Sequence, residues 1–159
     1  MITLSTTLLI PLAPMIPNIL FALKPATNAL PETKPTRQMR IWTVMERAGQ
    51  LGVFLMPLRY RIGPLRTLDR VLLALMVALI AFYYLGWARY FTHNGDRELL
   101  FAPMWSIPLP LAYSPVLFFM LAAGLLRSLP MFIASSLLAA GHIPLSYVEH
   151  ERYRTKHKA

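Results

Sequence analysis

The chain has 159 residues, of which 56% are hydrophobic and 14% charged, and it carries a net charge of +9. A soluble domain ordinarily holds about a quarter charged residues, so this balance points away from a water-soluble fold. The positive charge does not mark a nucleic-acid binder, because the basic residues occupy the gaps between apolar runs and form no continuous soluble basic face. The absence of cysteine excludes disulfides, thiolate metal sites, thiol nucleophiles and S-palmitoylation.

The first apolar run, residues 2–23, has no basic n-region before it and no A-x-A site after it. It reads as an uncleaved anchor span. Pro11, Pro14 and Pro17 each lack an amide donor and free a carbonyl, so the span is expected to bend and to need polar neighbours; Asn18 and Asn28 are candidates. Residues 24–40, with Pro25, Pro31 and Pro35, read as a polar surface linker.

Residues 41–58 form the second candidate span, interrupted by Glu46, Arg47 and Gln50. Glu46 and Gln50 are four apart and share a helical face, and Ala48 with Gly52 makes a small-xxx-small pair suited to close helix contact. The segment either crosses the bilayer or lies at its surface as an amphipathic helix. Residues 59–70 are a basic connector with a Gly63-Pro64 turn, and Thr67 is the expected N-cap of the third span. That span, residues 71–91, has no charge from Val71 to Ala88, which matches the ~20 apolar residues that a crossing helix needs. Its terminal Tyr83, Tyr84, Trp87, Tyr90 and Phe91 read as an aromatic belt at headgroup level. An irregular apolar stretch, 102–110, precedes a fourth span at 111–126. A break at Arg127-Ser128-Leu129-Pro130 leads to a fifth at 130–147 and a basic tail at 148–159.

The expected fold is therefore all-α: one polytopic transmembrane domain over residues 1–159, with five spans, or four if 41–58 stays at the interface. With five spans, Lys24, Lys34, Arg37, Arg40, Arg89, Arg97, Arg152, Arg154, Lys156 and Lys158 fall on one side, against Arg59, Arg61, Arg66, Arg70 and Arg127 on the other. The positive-inside rule then places the N-terminus outside and the C-terminus in the cytoplasm, here of a bacterial plasma membrane. The four-span alternative leaves a weaker asymmetry.

Glu46 and His142 are the candidate catalytic or proton-exchanging residues. A carboxylate within a span costs at least ~2.5 kcal/mol, so it must be paired, protonated or wetted. His142 sits beside Gly141 and two residues before Pro144, which frees the carbonyl of Ala140. In the five-span arrangement both residues lie near cytoplasmic ends and face one another. The bland alternative is a structural pairing of Glu46 with Arg47 and an interfacial histidine. Arg47, Gln50, Arg40 and Arg59 are candidate binding residues. His93, Asp96 and Glu98 form a loop cluster with no metal-site spacing. No H-E-x-x-H, G-x-S-x-G or P-loop occurs, and no cofactor or metal is expected.

Three functions compete. The first is a non-enzymatic accessory or scaffold subunit that packs on itself or on a membrane partner through small residues such as Gly52 and Gly124. The second is a small proton-coupled transporter using Glu46. The third is a lipid-modifying enzyme using Glu46 and His142. In all three, anionic lipid headgroups are the expected partners of the basic loops.

Overall fold

Helix starts and stops follow local chemistry. The computed structural model describes residues 7–31 and 33–156; the opening of the first expected span and the last three tail residues lie outside them. The helices are α1 (Leu9–Leu23), α2 (Arg37–Leu55), α3 (Thr67–Thr92), α4 (Pro110–Leu125) and α5 (Leu129–Lys156), with single 3-10 turns at Met56–Arg59 and Arg97–Leu100. The described residues contain no strand, only an isolated bridge between Met104 and Ile107. Trp105 and Ser106 link that bridge with positive φ at both residues, so the stretch expected to be irregular is a tight two-residue turn.

α2 begins at Arg37, four residues before the expected span, because Thr36 beyond Pro35 accepts a hydrogen bond from the Met39 N–H at 3.2 Å. It stops at Leu55 because Pro57 lacks the amide that another turn requires, and the chain tightens into the 3-10 turn. The expected cap of α3 is also corrected. Thr67 is the first helical residue, and the cap position is Arg66, whose N–H is satisfied by Asp69 Oδ2 at 3.0 Å. Asp69 is almost fully buried and also receives the guanidinium of Arg127, at 3.0 Å, from the left-handed turn between α4 and α5. α5 continues past residue 147 without a break, so the described part of the tail is a helical extension.

α4 is the central helix. Val116, Phe118, Phe119, Ala122, Ala123 and Leu125 are all buried, against Met76 of α3 and Met131, Ala134 and Leu138 of α5. α3 flanks α4 on one side and α5 on the other; α1 lies on α3 and α4, and α2 lies on α5. The α2–α5 contact is antiparallel and glycine-mediated. A Cβ at Gly52 would stand 2.5 Å from Ala134 Cβ, one at Gly49 would stand 2.6 Å from Leu138 Cα, and one at Gly141 would stand 2.7 Å from Glu46 Cβ. These approaches, to backbone at Gly49 and Gly141 and to a Cβ at Gly52, leave no room for a methyl group.

α1 is tied down by polar groups. Pro17 displaces the carbonyl of Ala13, which accepts the Tyr84 hydroxyl at 2.6 Å. Asn18 donates to the Pro14 carbonyl at 2.7 Å and to Tyr83 Oη at 2.9 Å. Asn28 does not serve α1; its amide donates to Asp96 and its carbonyl accepts from the Arg97 N–H. Tyr83, Trp87 and Tyr90 are buried, the last two against Phe21, so this part of the expected aromatic belt is turned inward.

Among the described residues only α3 and α5 are long and apolar enough to cross a bilayer. α1 and α4 are apolar but have 15 and 16 residues, about 24 Å at most, short of the ~30 Å hydrocarbon core. The polar residues in the middle of α2 keep it out of this class.

Two outcomes follow from the packing. Gly49→Ala is expected to destabilise the folded protein by about 1–3 kcal/mol, because Leu138 backbone must move. Gly124→Ala meets only Leu72 Cδ1 at 3.7 Å, so it is expected to be neutral or to add about 0.5–1 kcal/mol of helix preference. Thermal unfolding in detergent separates the two. The Asp69 carboxyl is held below the usual carboxylate range, first by the Arg66 N–H and then by Arg127, while burial pushes it upward. Its contribution is therefore complete above the unfolded value of about 4 and is lost as pH falls through the lower folded value. Asp69→Asn is expected to lower the unfolding temperature at neutral pH and to flatten its decline in acid.

Candidate functional site

Glu46 lies midway along α2 and His142 midway along α5. The contacts at Gly49 and Gly141 bring the two backbones together on either side of the pair. Glu46 Oε1 stands 2.6 Å from His142 Nδ1, with both side chains part-buried. Arg47, the neighbour that offered a local ion pair, points outward and has no part in the contact.

A cavity of about 290 Å³ opens beside this pair, and all five helices line it. Its polar groups are His142, Gln50, Asn18 and Tyr83; Val53, Phe54, Phe119, Leu138 and the proline rings of α1 and α4 form apolar walls. Gln50 reaches it because it sits one turn from Glu46 on the same face of α2. Tyr83 reaches it because its hydroxyl is held by Asn18 at the proline-rich turn of α1. Sequence reasoning read Tyr83 as an interfacial aromatic, and nothing in the local pattern distinguishes it from Tyr84. Asn18, a lone amide in an apolar run, was the signal available.

The remaining candidates lie elsewhere. Arg40 is exposed on the first turns of α2 and Arg59 is exposed in the 3-10 turn at its other end; neither lines the cavity. Arg152 is held by Glu149 and the Pro31 carbonyl. In the third loop, His93 Nδ1 contacts the Arg89 carbonyl, and Asp96 binds Asn28 and the Glu98 N–H. These contacts order the loop. No group of three or more metal-ligating side chains occurs among the described residues.

The chemistry of the pair is specific. The carboxylate of Glu46 on Nδ1 fixes the orientation of the imidazole and leaves Nε2 as the nitrogen free to meet a bound molecule. Ser114, Ser135 and Ser136 each donate to the carbonyl one turn back in their own helix and do not line the cavity, whose one hydroxyl is that of Tyr83. The arrangement brings an imidazole, an amide and a phenol to one space able to hold a small ligand.

Comparison with protein-family models, with curated proteins and with solved structures finds no match. The functional reading rests on the geometry alone.

A double-mutant cycle with Glu46→Gln and His142→Gln measures the pair. A coupling energy of about 1–3 kcal/mol in unfolding is expected for a charge-assisted hydrogen bond between part-buried groups. Additive effects within about 0.5 kcal/mol would mean that the two side chains do not interact.

Proposed function

We propose that this chain is a polytopic integral membrane protein of a bacterial plasma membrane, and that it binds a small ligand and moves it together with a proton. The membrane part of the reading is supported by where the apolar residues face. Leu9, Ile16 and Leu23 of α1, Val44 and Leu51 of α2, Val71 and Val77 of α3, and Phe132 and Ile133 of α5 are all exposed. In the most apolar stretch of α3 only 22% of residues are buried, and in that of α5 only 33%, whereas the core helix of a soluble protein is mostly buried. Apolar surface on every flank is what a lipid solvent calls for. α2 lies antiparallel along α5 through Gly49, Gly52 and Gly141, which supports reading α2 as accompanying α5 across the bilayer despite the polar residues at its middle. On the five-span reading, the positive-inside count favours an N-terminus outside and a basic tail in the cytoplasm.

The single observation that carries the proton-coupled reading is the Glu46–His142 hydrogen bond at the wall of a cavity lined by all five helices. A part-buried carboxylate–imidazole pair between α2 and α5, with an amide and a phenol converging on the neighbouring space, supports recognition of a small polar molecule and a proton together. Many of the small residues that suggested a scaffold serve internal packing: Gly52 meets Ala134, Gly141 meets α2, and Ala122 and Ala123 are buried. The accessory-subunit reading retains support from the extent of exposed apolar surface, which also fits a homo-oligomer or a membrane partner. A lipid-modifying enzyme is supported by the same pair, but Arg40 and Arg59 stand away from the cavity.

The test uses protein reconstituted in vesicles under a pH gradient and offered short carboxylic acids, amino acids and monosaccharides in turn. At least one class is expected to shift lumenal pH at a protein-dependent rate. Glu46→Gln and His142→Ala are each expected to slow that rate by about 10²-fold or more, the range set by loss of a positioned proton acceptor. Gly124→Ala is expected to leave it unchanged. If no class moves protons with the wild-type protein, the carrier reading fails and the accessory reading stands.

A further inference from the structure

The outward face of α2 presents a second feature. Arg40, Val44, Arg47 and Leu51 follow a spacing of four, three and four residues and therefore form one stripe, and all four are exposed. Neither arginine side chain has an ion-pair or hydrogen-bond partner among the described residues. Val44 and Leu51 are 67% and 62% exposed, so the stripe alternates strongly apolar and cationic positions.

The register with α5 sets the depth of this stripe. Gly49 lies against Leu138, Gly52 against Ala134 and Gly141 against Glu46, so each step up α2 matches one step back along α5. On that register Arg40 is level with Tyr147, at the end of the apolar run of α5, and Arg47 is level with Ala140. Seven helical residues separate them, about 10 Å along the axis. Arg40 therefore stands at the cytoplasmic boundary and Arg47 about two turns inside it. An unpaired guanidinium at that depth is unfavourable unless it reaches upward to an anion.

We propose that Arg40 and Arg47 together hold the phosphate of an anionic phospholipid from the cytoplasmic leaflet, with its acyl chains lying along Val44 and Leu51. Arg47 extends toward the boundary, Arg40 lies at it, and a phosphodiester between them accepts from both forks. The net charge of the arginine pair selects an anionic headgroup over a zwitterionic one. The binding step is non-covalent and is independent of the Glu46–His142 cavity. It rests on the membrane reading and on the orientation of α2, and not on the carrier reading.

The test measures lipid retained by the full-length protein. Protein purified in detergent is equilibrated with equal amounts of phosphatidylglycerol and phosphatidylcholine, and the bound lipid is counted by native mass spectrometry. The wild type is expected to retain the anionic lipid about tenfold over the zwitterionic one, the gain of one charge-assisted contact pair. Arg40→Gln with Arg47→Gln is expected to abolish the preference. Arg61→Gln, at the opposite end of the bundle, and Arg47→Lys, which keeps the charge, are expected to preserve it. If the double variant aggregates, Arg40→Gln alone decides, with a loss of about threefold or more expected. A wild type without preference, or a preference that survives loss of both arginines, overturns the site. So does an oligomer that Arg47→Gln dissociates with lipid retention unchanged, since a partner chain would then cover the stripe. A protein monodisperse without detergent would instead overturn the membrane reading beneath it.

Discussion

Three glycines decide how near α2 comes to α5. Where Gly49, Gly52 and Gly141 meet the facing helix, a methyl group would collide with backbone or with a Cβ that has nowhere to retreat. The approach is therefore set by main chain and not by interlocking side chains. That closeness places a carboxylate on one helix within hydrogen-bond reach of an imidazole on the other. It also fixes the register from which the depth of every α2 residue follows. Without that closeness, the Glu46 carboxyl would lose its imidazole partner among apolar neighbours.

Several other polar groups of the interior are paired between helices. The carbonyl of Ala13, displaced by Pro17, is met by Tyr84, and Asn18 closes the gap between α1 and Tyr83. At the far end Asp69 receives a backbone N–H and a guanidinium at once, so the start of α3 is fixed to the turn between α4 and α5. Apart from the local Arg66–Asp69 cap, these contacts join elements distant in sequence. Satisfied polar groups and close small-residue contacts fix which helix faces meet.

How much of this was legible in the sequence varies by element. The helical class and the long apolar runs of α3 and α5 were, because hydropathy over twenty residues is a local property. Helix ends were less so: Thr36 captures a free N–H before the apolar run begins, and at the next start Thr67 is the first helical residue and Arg66 the cap. The meeting of Glu46 and His142 depended on topology, which charge asymmetry indicated without fixing. Tyr83 as a cavity residue was not legible, since its inward turn is set by α1 packing from more than sixty residues away. Nor was Gly49, which lies outside the Ala48–Gly52 pair that spacing singled out yet makes one of the tightest contacts.

The account depends most on Glu46 and His142 touching in the folded protein within a bilayer. Solid-state NMR on reconstituted protein, with carbon-13 in glutamate and nitrogen-15 in histidine, reads that distance without altering a residue. The contact at 2.6 Å implies that the Glu46 carboxyl carbon lies within about 4 Å of His142 Nδ1 and gives a strong dipolar coupling. A Glu46 carboxyl signal with no coupling to the His142 ring would contradict the pairing and the close packing of α2 on α5 together.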